Sequence, residues 1–157
     1  MRAAILTVST SVSARRAEDL SGPRLAGLAE DAGCEVAAME VVPDDFSLIE
    51  DRLHHYADLG VDFIFTTGGT GFTPDDITPE ATRAVVQRLA PGIVEAMRAE
   101  SLRFNHRSIL SRAVAGISGR TLIVNFPGSP KAVEECFVVL EGVLEHAVET
   151  MRGDSRH

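Results

Sequence analysis

Gly68-Gly69-Thr70-Gly71 places three glycines in four residues, and Asp75-Asp76 follows closely behind. Glycine leaves the backbone bare and reaches positive φ freely. Successive N–H groups in such a stretch can form an anion nest. Thr66, Thr67 and Thr70 add hydroxyl donors. The same glycines also suit an ordinary tight turn. The acids narrow the chemistry. Two carboxylates beside a phosphate repel it unless a cation intervenes, and Mg2+ takes one or two carboxylates plus phosphate oxygens and water. An ion of that kind stabilises charge on a transferred phosphoryl or nucleotidyl group. One of the two acids can alternatively cap the next helix. No Gly-Lys-Ser/Thr follows the loop and its spacing is not GxGxxG, so it is neither a Walker A loop nor a dinucleotide fingerprint.

A second loop, Asn125-Phe126-Pro127-Gly128-Ser129-Pro130-Lys131, repeats the logic with a cation. The prolines stiffen it, Gly128 opens the backbone, and Ser129 and Lys131 can donate to an anion. It also reads as a plain Pro-Gly turn ahead of a helix. A third candidate is Asp44-Asp45, after Pro43. Local pattern alone makes these helix N-terminal carboxylates that complement the dipole. The histidines do not cluster. His54 and His55 are adjacent on a helix and face different directions, which reads as surface. No G-x-S-x-G elbow or Ser/His/Asp arrangement is present.

These residues are useful only if the chain brings them together. Apolar runs at Ala3–Val8, Glu35–Val42 and Val61–Thr67 read as strands. Ser9–Arg16 is a polar loop after the first strand. Helices are expected from Ser21-Gly22-Pro23 to Gly33 and from a Ser47/Glu50 capping box to about Leu59, with Leu48, Ile49, Leu53 and Tyr56 as the inner face. Another runs from a Thr78 cap to about Leu89, and one from Pro91 through about Phe104, with Ile93, Met97 and Leu102 as its apolar positions. Asn105–Ser111, which contains Arg107, reads as a polar connection. Ala113–Ile117 and Arg120–Val124 are two short segments of a possible hairpin, hence one possible antiparallel strand. A final helix is expected from about Lys131 to Met151, with Val133, Phe137, Leu140, Leu144 and Val148 as its stripe. Alternating strands and helices imply a layered α/β fold around a mostly parallel sheet. Both glycine loops then lie at the C-terminal ends of strands, where such sheets bind ligands.

Composition bounds the partners. The chain has 157 residues and a net charge of −8. One domain over residues 1–152 is expected, with a loose tail over 153–157. The acidic balance argues against a general nucleic-acid binder. With no tryptophan and one tyrosine, base-stacking platforms are poorly supplied. Cys34 and Cys136 make no CxxC or zinc spacing and read as small buried residues in a reducing cytoplasm. No charged n-region precedes an apolar segment and no apolar run approaches about 18 residues, so neither a signal peptide nor a membrane span is expected.

Taken together, Thr66–Gly71 (TTGGTG), Asp76-Ile77-Thr78-Pro79-Glu80, Ser111-Arg112 and Asn125–Lys131 resemble the MogA/MoaB family of molybdenum cofactor biosynthesis proteins, to which gephyrin G domains are related. The resemblance covers nearly the whole chain, and TTGGTG with D-x-TPE at this spacing is its specific part. It implies a three-layer α/β/α fold and a molybdopterin adenylyltransferase, with molybdopterin and ATP as substrates and Mg2+ as cofactor. It also implies a homotrimer that passes its product to a molybdate-inserting protein; a cytoplasmic location is expected from the lack of a signal peptide and membrane span. A binding or carrier protein of the MoaB type, without turnover, is the alternative. The resemblance marks Asp76 and Asp44 as the catalytic and Mg2+-binding acids. It marks Gly68, Gly69, Thr70, Gly71, Ser111, Gly128, Ser129 and Lys131 as molybdopterin- and nucleotide-binding, and leaves Asp44 and Asp45 to be told apart. Ser9-Thr10-Ser11-Val12 departs from the Ser-Asp with a nearby Arg that is common in the family, so contacts of the first loop are not implied.

Overall fold

The computed structural model describes residues 1–154. Its elements in chain order are β1 (Arg2–Val8), α1 (Thr10–Ser13), α2 (Ser21–Asp31), β2 (Glu35–Val42), α3 (Phe46–Asp58), β3 (Phe63–Thr67) and α4 (Thr78–Val85). There follow β4 (Arg88–Leu89), α5 (Pro91–Leu102), a 3-10 turn at His106–Leu110, β5 (Ala115–Ser118), β6 (Thr121–Phe126), α6 (Pro130–Phe137) and α7 (Leu144–Arg152). Among the described residues the strands form one sheet of six in the order β2-β1-β3-β6-β5-β4. The β1–β2, β1–β3 and β3–β6 pairs are parallel. Only β5 runs against its neighbours, antiparallel to both β4 and β6.

The three layers follow from the period-2 alternation of side chains along the central strands. Ala3 and Ile5 of β1, Phe63 and Phe65 of β3, and Leu122, Val124 and Phe126 of β6 face one side. They pack against Leu25 and Ala29 of α2, Met97 of α5, Val133 and Phe137 of α6 and Leu144 of α7. The intervening residues Ala4, Leu6, Ile64 and Ile123 face the other side and meet Ile49 and Leu53 of α3 and Ala81 and Val85 of α4. Burial on both faces is why these strands read as continuous apolar runs.

From β1 the chain crosses to β2 on one side and then returns to place β3 on the other. The crevice between the C-terminal ends of β1 and β3 is therefore the switch point of the sheet. Four parallel strands end on this edge, at Val8, Val42, Thr67 and Phe126. The loops that follow them carry Thr10, Asp44, the glycine loop and Gly128.

Several boundaries differ from the sequence expectation. Asp45, not Ser47, caps α3 by accepting from the Leu48 N–H at 2.9 Å. Leu48 is then exposed, leaving Ile49, Leu53 and Tyr56 as the buried face. α4 stops at Val85 because Arg88–Leu89 pairs with β5 instead of continuing the helix. α5 buries Val94, Met97 and Ser101, so of its expected apolar positions only Met97 is fully inside. The last helix is two helices, broken between Phe137 and Leu144 by tight turns with Val139→Cys136 and Val143→Leu140 backbone bonds. Its expected stripe is buried throughout, so the face was right and the continuity was not. Ser9–Arg16 contains the short helix α1, and the Asn105–Ser111 connection contains the 3-10 turn. Gly153 adopts φ 80 and closes α7; residues 155–157 of the expected tail lie outside the described residues.

Candidate active site

The glycine loop is built by its neighbours. Gly68 has φ 97 and a β-carbon there would sit 2.3 Å from the Val8 carbonyl oxygen. Gly69 has φ 66. The Gly68 N–H donates to the Phe126 carbonyl at 3.1 Å. The N–H groups of Gly69, Thr70 and Gly71 donate to no carbonyl among the described residues, so they remain for an anion. The Thr78 hydroxyl, expected to cap α4, instead donates to the Gly68 carbonyl at 2.9 Å. The N-cap of α4 is Ile77, without a side-chain bond. Thr78 thus trades a local cap for a tie between helix and loop. The second loop packs directly on the first. The Thr67 hydroxyl donates to the Pro127 carbonyl at 2.7 Å, and a β-carbon on Gly128 would lie 3.4 Å from Gly68 Cα.

The two acids flank this loop. Asp44 Oδ2 accepts from the Thr10 N–H at 3.0 Å and from its hydroxyl at 2.8 Å, while Asp44 Oδ1 lies 3.3 Å from where a Gly69 β-carbon would be. Asp76 Oδ2 accepts from the Thr73 N–H at 2.9 Å and lies 2.8 Å from where a Gly71 β-carbon would be. Among the described residues each carboxylate spends Oδ2 on the fold and leaves Oδ1 without a hydrogen bond. Asp45 is committed to its cap, which separates the two adjacent acids: Asp44 faces the site and Asp45 serves α3.

Two cavities share Gly128 in their walls. One, of about 370 Å³, is walled by Ser9, Asp19, Asp44, Gly68, Gly69, Asp76 and Gly128. The other, of about 310 Å³, is more apolar. Val94, Met97, Leu110 and Ala113 line it, together with Arg98, Arg107, Thr70, Gly71, Ser111 and Ser129. Arg98 donates to the Ser111 carbonyl at 3.3 Å. Of the residues singled out from the sequence, Asp44, Asp76, Gly68 and Gly69 reach the acidic cavity, and Thr70, Gly71, Ser111 and Ser129 reach the apolar one. Gly128 reaches both. Lys131 reaches neither, because it follows Pro130 in the first turn of α6 and points out to solvent. The Ser129 hydroxyl also caps α6, accepting from the Ala132 N–H at 3.2 Å.

Sequence reasoning passed over Arg112 as a site residue, although Ser111-Arg112 was in view. Its backbone N–H donates to the Thr70 carbonyl at 2.9 Å. Its guanidinium donates to the Gly71 carbonyl at 2.7 Å and the Asp76 carbonyl at 2.6 Å, and pairs with Glu80. One side chain therefore braces the whole Gly71–Glu80 segment. Burial works to raise the Glu80 carboxyl, but the Arg112 hydrogen bond, the residue's own backbone N–H and nearby Arg83 outweigh it and hold the group below its ordinary value. Beneath the site, buried Asn125 donates to the Thr66 hydroxyl at 3.0 Å and the Thr82 hydroxyl at 2.9 Å, and accepts from the Val114 N–H at 3.1 Å. Cys34 and Cys136 are free and buried, and burial pushes both thiols up.

A family model described as "Probable molybdopterin binding domain" matches residues 4–146. The chain belongs to this family. It is 37% identical over 153 residues to a molybdopterin adenylyltransferase of Helicobacter pylori, covering 96% of this chain and 87% of that enzyme. It is 38% identical over 152 residues to the molybdenum cofactor synthesis protein cinnamon of Drosophila melanogaster, covering 96% of this chain but only 25% of that longer protein. Among solved structures, the molybdopterin biosynthesis enzyme MoaB of Thermus thermophilus superposes with a TM-score of 0.91 at 43% identity, covering 97% of this chain and 96% of that one. The chain thus shares its fold with MogA/MoaB proteins along its length. Among the described residues no helix is long and apolar enough to cross a membrane.

Proposed function

We propose that this chain transfers the adenylyl group of ATP to molybdopterin, releasing pyrophosphate. The observation that carries the reading is the pairing of Asp44 and Asp76 on one cavity wall, with the glycine loop between them and a second, apolar cavity opening beside it. With a divalent cation on its carboxylates the acidic cavity suits a nucleoside triphosphate, and the apolar one suits a flat organic ring. The free N–H groups of Gly69, Thr70 and Gly71 hold phosphate oxygens. Arg107, on the wall of the apolar cavity and without an ion pair among the described residues, meets the anionic end of the pterin substrate. Because both cavities have Gly128 in their walls, their occupants lie side by side, and a phosphate oxygen of molybdopterin can approach the α-phosphorus of ATP. A new P–O bond forms there as the bond to the β-phosphate oxygen breaks and pyrophosphate departs. Placing both reactants in one cleft supplies much of the acceleration.

The donor set fits Mg2+. Among the described residues no three His, Cys, Asp or Glu side chains gather into a closed metal cage. Two carboxylates, each with one uncommitted oxygen, match an ion that keeps waters and substrate phosphates in its shell. When bound, Mg2+ neutralises charge on the transferred group. We propose Asp44 and Asp76 as its protein ligands. The remaining expectations, a homotrimer that hands its product to a molybdate-inserting protein, follow from the family; light scattering tests the trimer.

Incubating the protein with molybdopterin, ATP and Mg2+ tests the reading. Pyrophosphate released in step with adenylylated molybdopterin supports it. Stable molybdopterin binding without release would make the chain a carrier.

A further inference from the structure

We propose that Thr10 is a positioning residue for Asp44, fixing which of its two oxygens faces the cleft. The inference rests on the adenylyltransferase reading, in which Asp44 meets a cation. The contact is reciprocal. The Thr10 N–H and hydroxyl both donate to Asp44 Oδ2, at 3.0 and 2.8 Å, and the Asp44 N–H donates back to the Thr10 hydroxyl at 3.1 Å. Nothing in the local fold requires this. Helix α3 takes its cap from Asp45, and α1 takes its own from Ser9, which accepts from the Val12 N–H. The pair joins the loops after β1 and β2 across the sheet's switch point.

Its consequence is geometric. With Oδ2 occupied by two donors, the carboxylate has one orientation, and Oδ1 stands beside Gly69 on the cavity wall. Asp44 is thereby a one-oxygen ligand. Without the Thr10 hydroxyl, a single donor, the Thr10 N–H, holds Oδ2, and the carboxylate is freer to turn and present either oxygen. Partners that orient a ligating carboxylate commonly change metal affinity by about tenfold or more.

The test uses the full chain with Thr10→Val, which keeps the backbone donor and the shape but loses the hydroxyl, and Thr10→Ser, which keeps the hydroxyl. Binding of Mn2+ alone is followed by electron paramagnetic resonance, with urea unfolding as a check on folding. Thr10→Val is expected to bind Mn2+ about tenfold more weakly than the parent, with Thr10→Ser within about twofold of it. In the pyrophosphate assay, Thr10→Val should need correspondingly more Mg2+ for half-maximal rate and approach the parental rate at saturation. Equal Mn2+ affinity in parent and Thr10→Val overturns the proposal, as does a Thr10→Ser variant as weak as Thr10→Val, or a parent that binds no Mn2+. If the parent binds Mn2+ in the expected pattern yet releases no pyrophosphate, the positioning role stands and the adenylyltransferase reading falls.

Discussion

The Arg112 guanidinium donates to the Gly71 carbonyl at 2.7 Å, so a residue beyond the 3-10 turn sets the path of the glycine loop. The same group holds the Asp76 carbonyl at 2.6 Å. A lysine offers one compact charge where this clamp needs a planar fork. Arg112→Lys is therefore expected to lower kcat/KM for adenylylation roughly 10- to 100-fold, because small misplacements of the cleft are costly. Steady-state pyrophosphate release measures it, with circular dichroism showing an intact fold.

Two glycines three residues apart should fail in different ways. At Gly68, φ is 97 and a β-carbon would meet the Val8 backbone oxygen at 2.3 Å, which cannot step aside. Gly68→Ala is expected to cost about 2–4 kcal/mol, read from urea midpoints. At Gly71 the nearest atom is Asp76 Oδ2 at 2.8 Å, the end of a side chain that can swing. Gly71→Ala should leave stability within about 1 kcal/mol while lowering turnover at least about tenfold, because it displaces the Asp76 carboxylate.

Asn125 joins β6 to β3, α4 and the backbone ahead of β5 through three hydrogen bonds in a fully buried position. Asn125→Ala removes them and strands buried donors and acceptors, at an expected cost of about 3–4 kcal/mol. Urea unfolding should show a lowered midpoint with the slope unchanged.

The Glu80–Arg112 pair gives the clamp a pH dependence. The folded carboxyl is held below its ordinary value of 4.5, so its contribution is fully present above that value. It is lost as pH falls below 4.5 and through the folded pKa. The Glu80 side chain is 47% exposed, so the effect is small. Between pH 5 and pH 3 the parent is expected to lose slightly more stability than Glu80→Gln, by urea midpoints at about 0.1 M salt. Equal losses would separate Glu80 from the clamp.

The layers and the placement of the glycine loops were legible because buried parallel strands leave unbroken apolar runs, and strand ends fix where loops emerge. The placement of Asp76 beside the loop was legible through its spacing to the loop and to Thr78-Pro79. Choices between local and tertiary partners were not. Asp44 and Asp45 are chemically identical in sequence, and only the Leu48 N–H and the Thr10 hydroxyl, 34 residues from Asp44, tell them apart. Thr78 looked like a cap because its distant acceptor, the Gly68 carbonyl, was invisible. Lys131 fitted the motif, yet it is exposed and lines neither cavity, and the two halves of the last helix share one apolar periodicity across the break.

The most direct measurement compares pyrophosphate release by the parent, Asp44→Asn and Asp76→Asn, with ATP, molybdopterin and Mg2+ saturating and molybdopterin binding measured alongside. The account predicts rates at least about 100-fold below the parent for each variant, with molybdopterin affinity within about threefold. Parental turnover in both variants would contradict it, because neither acid would then carry the transfer.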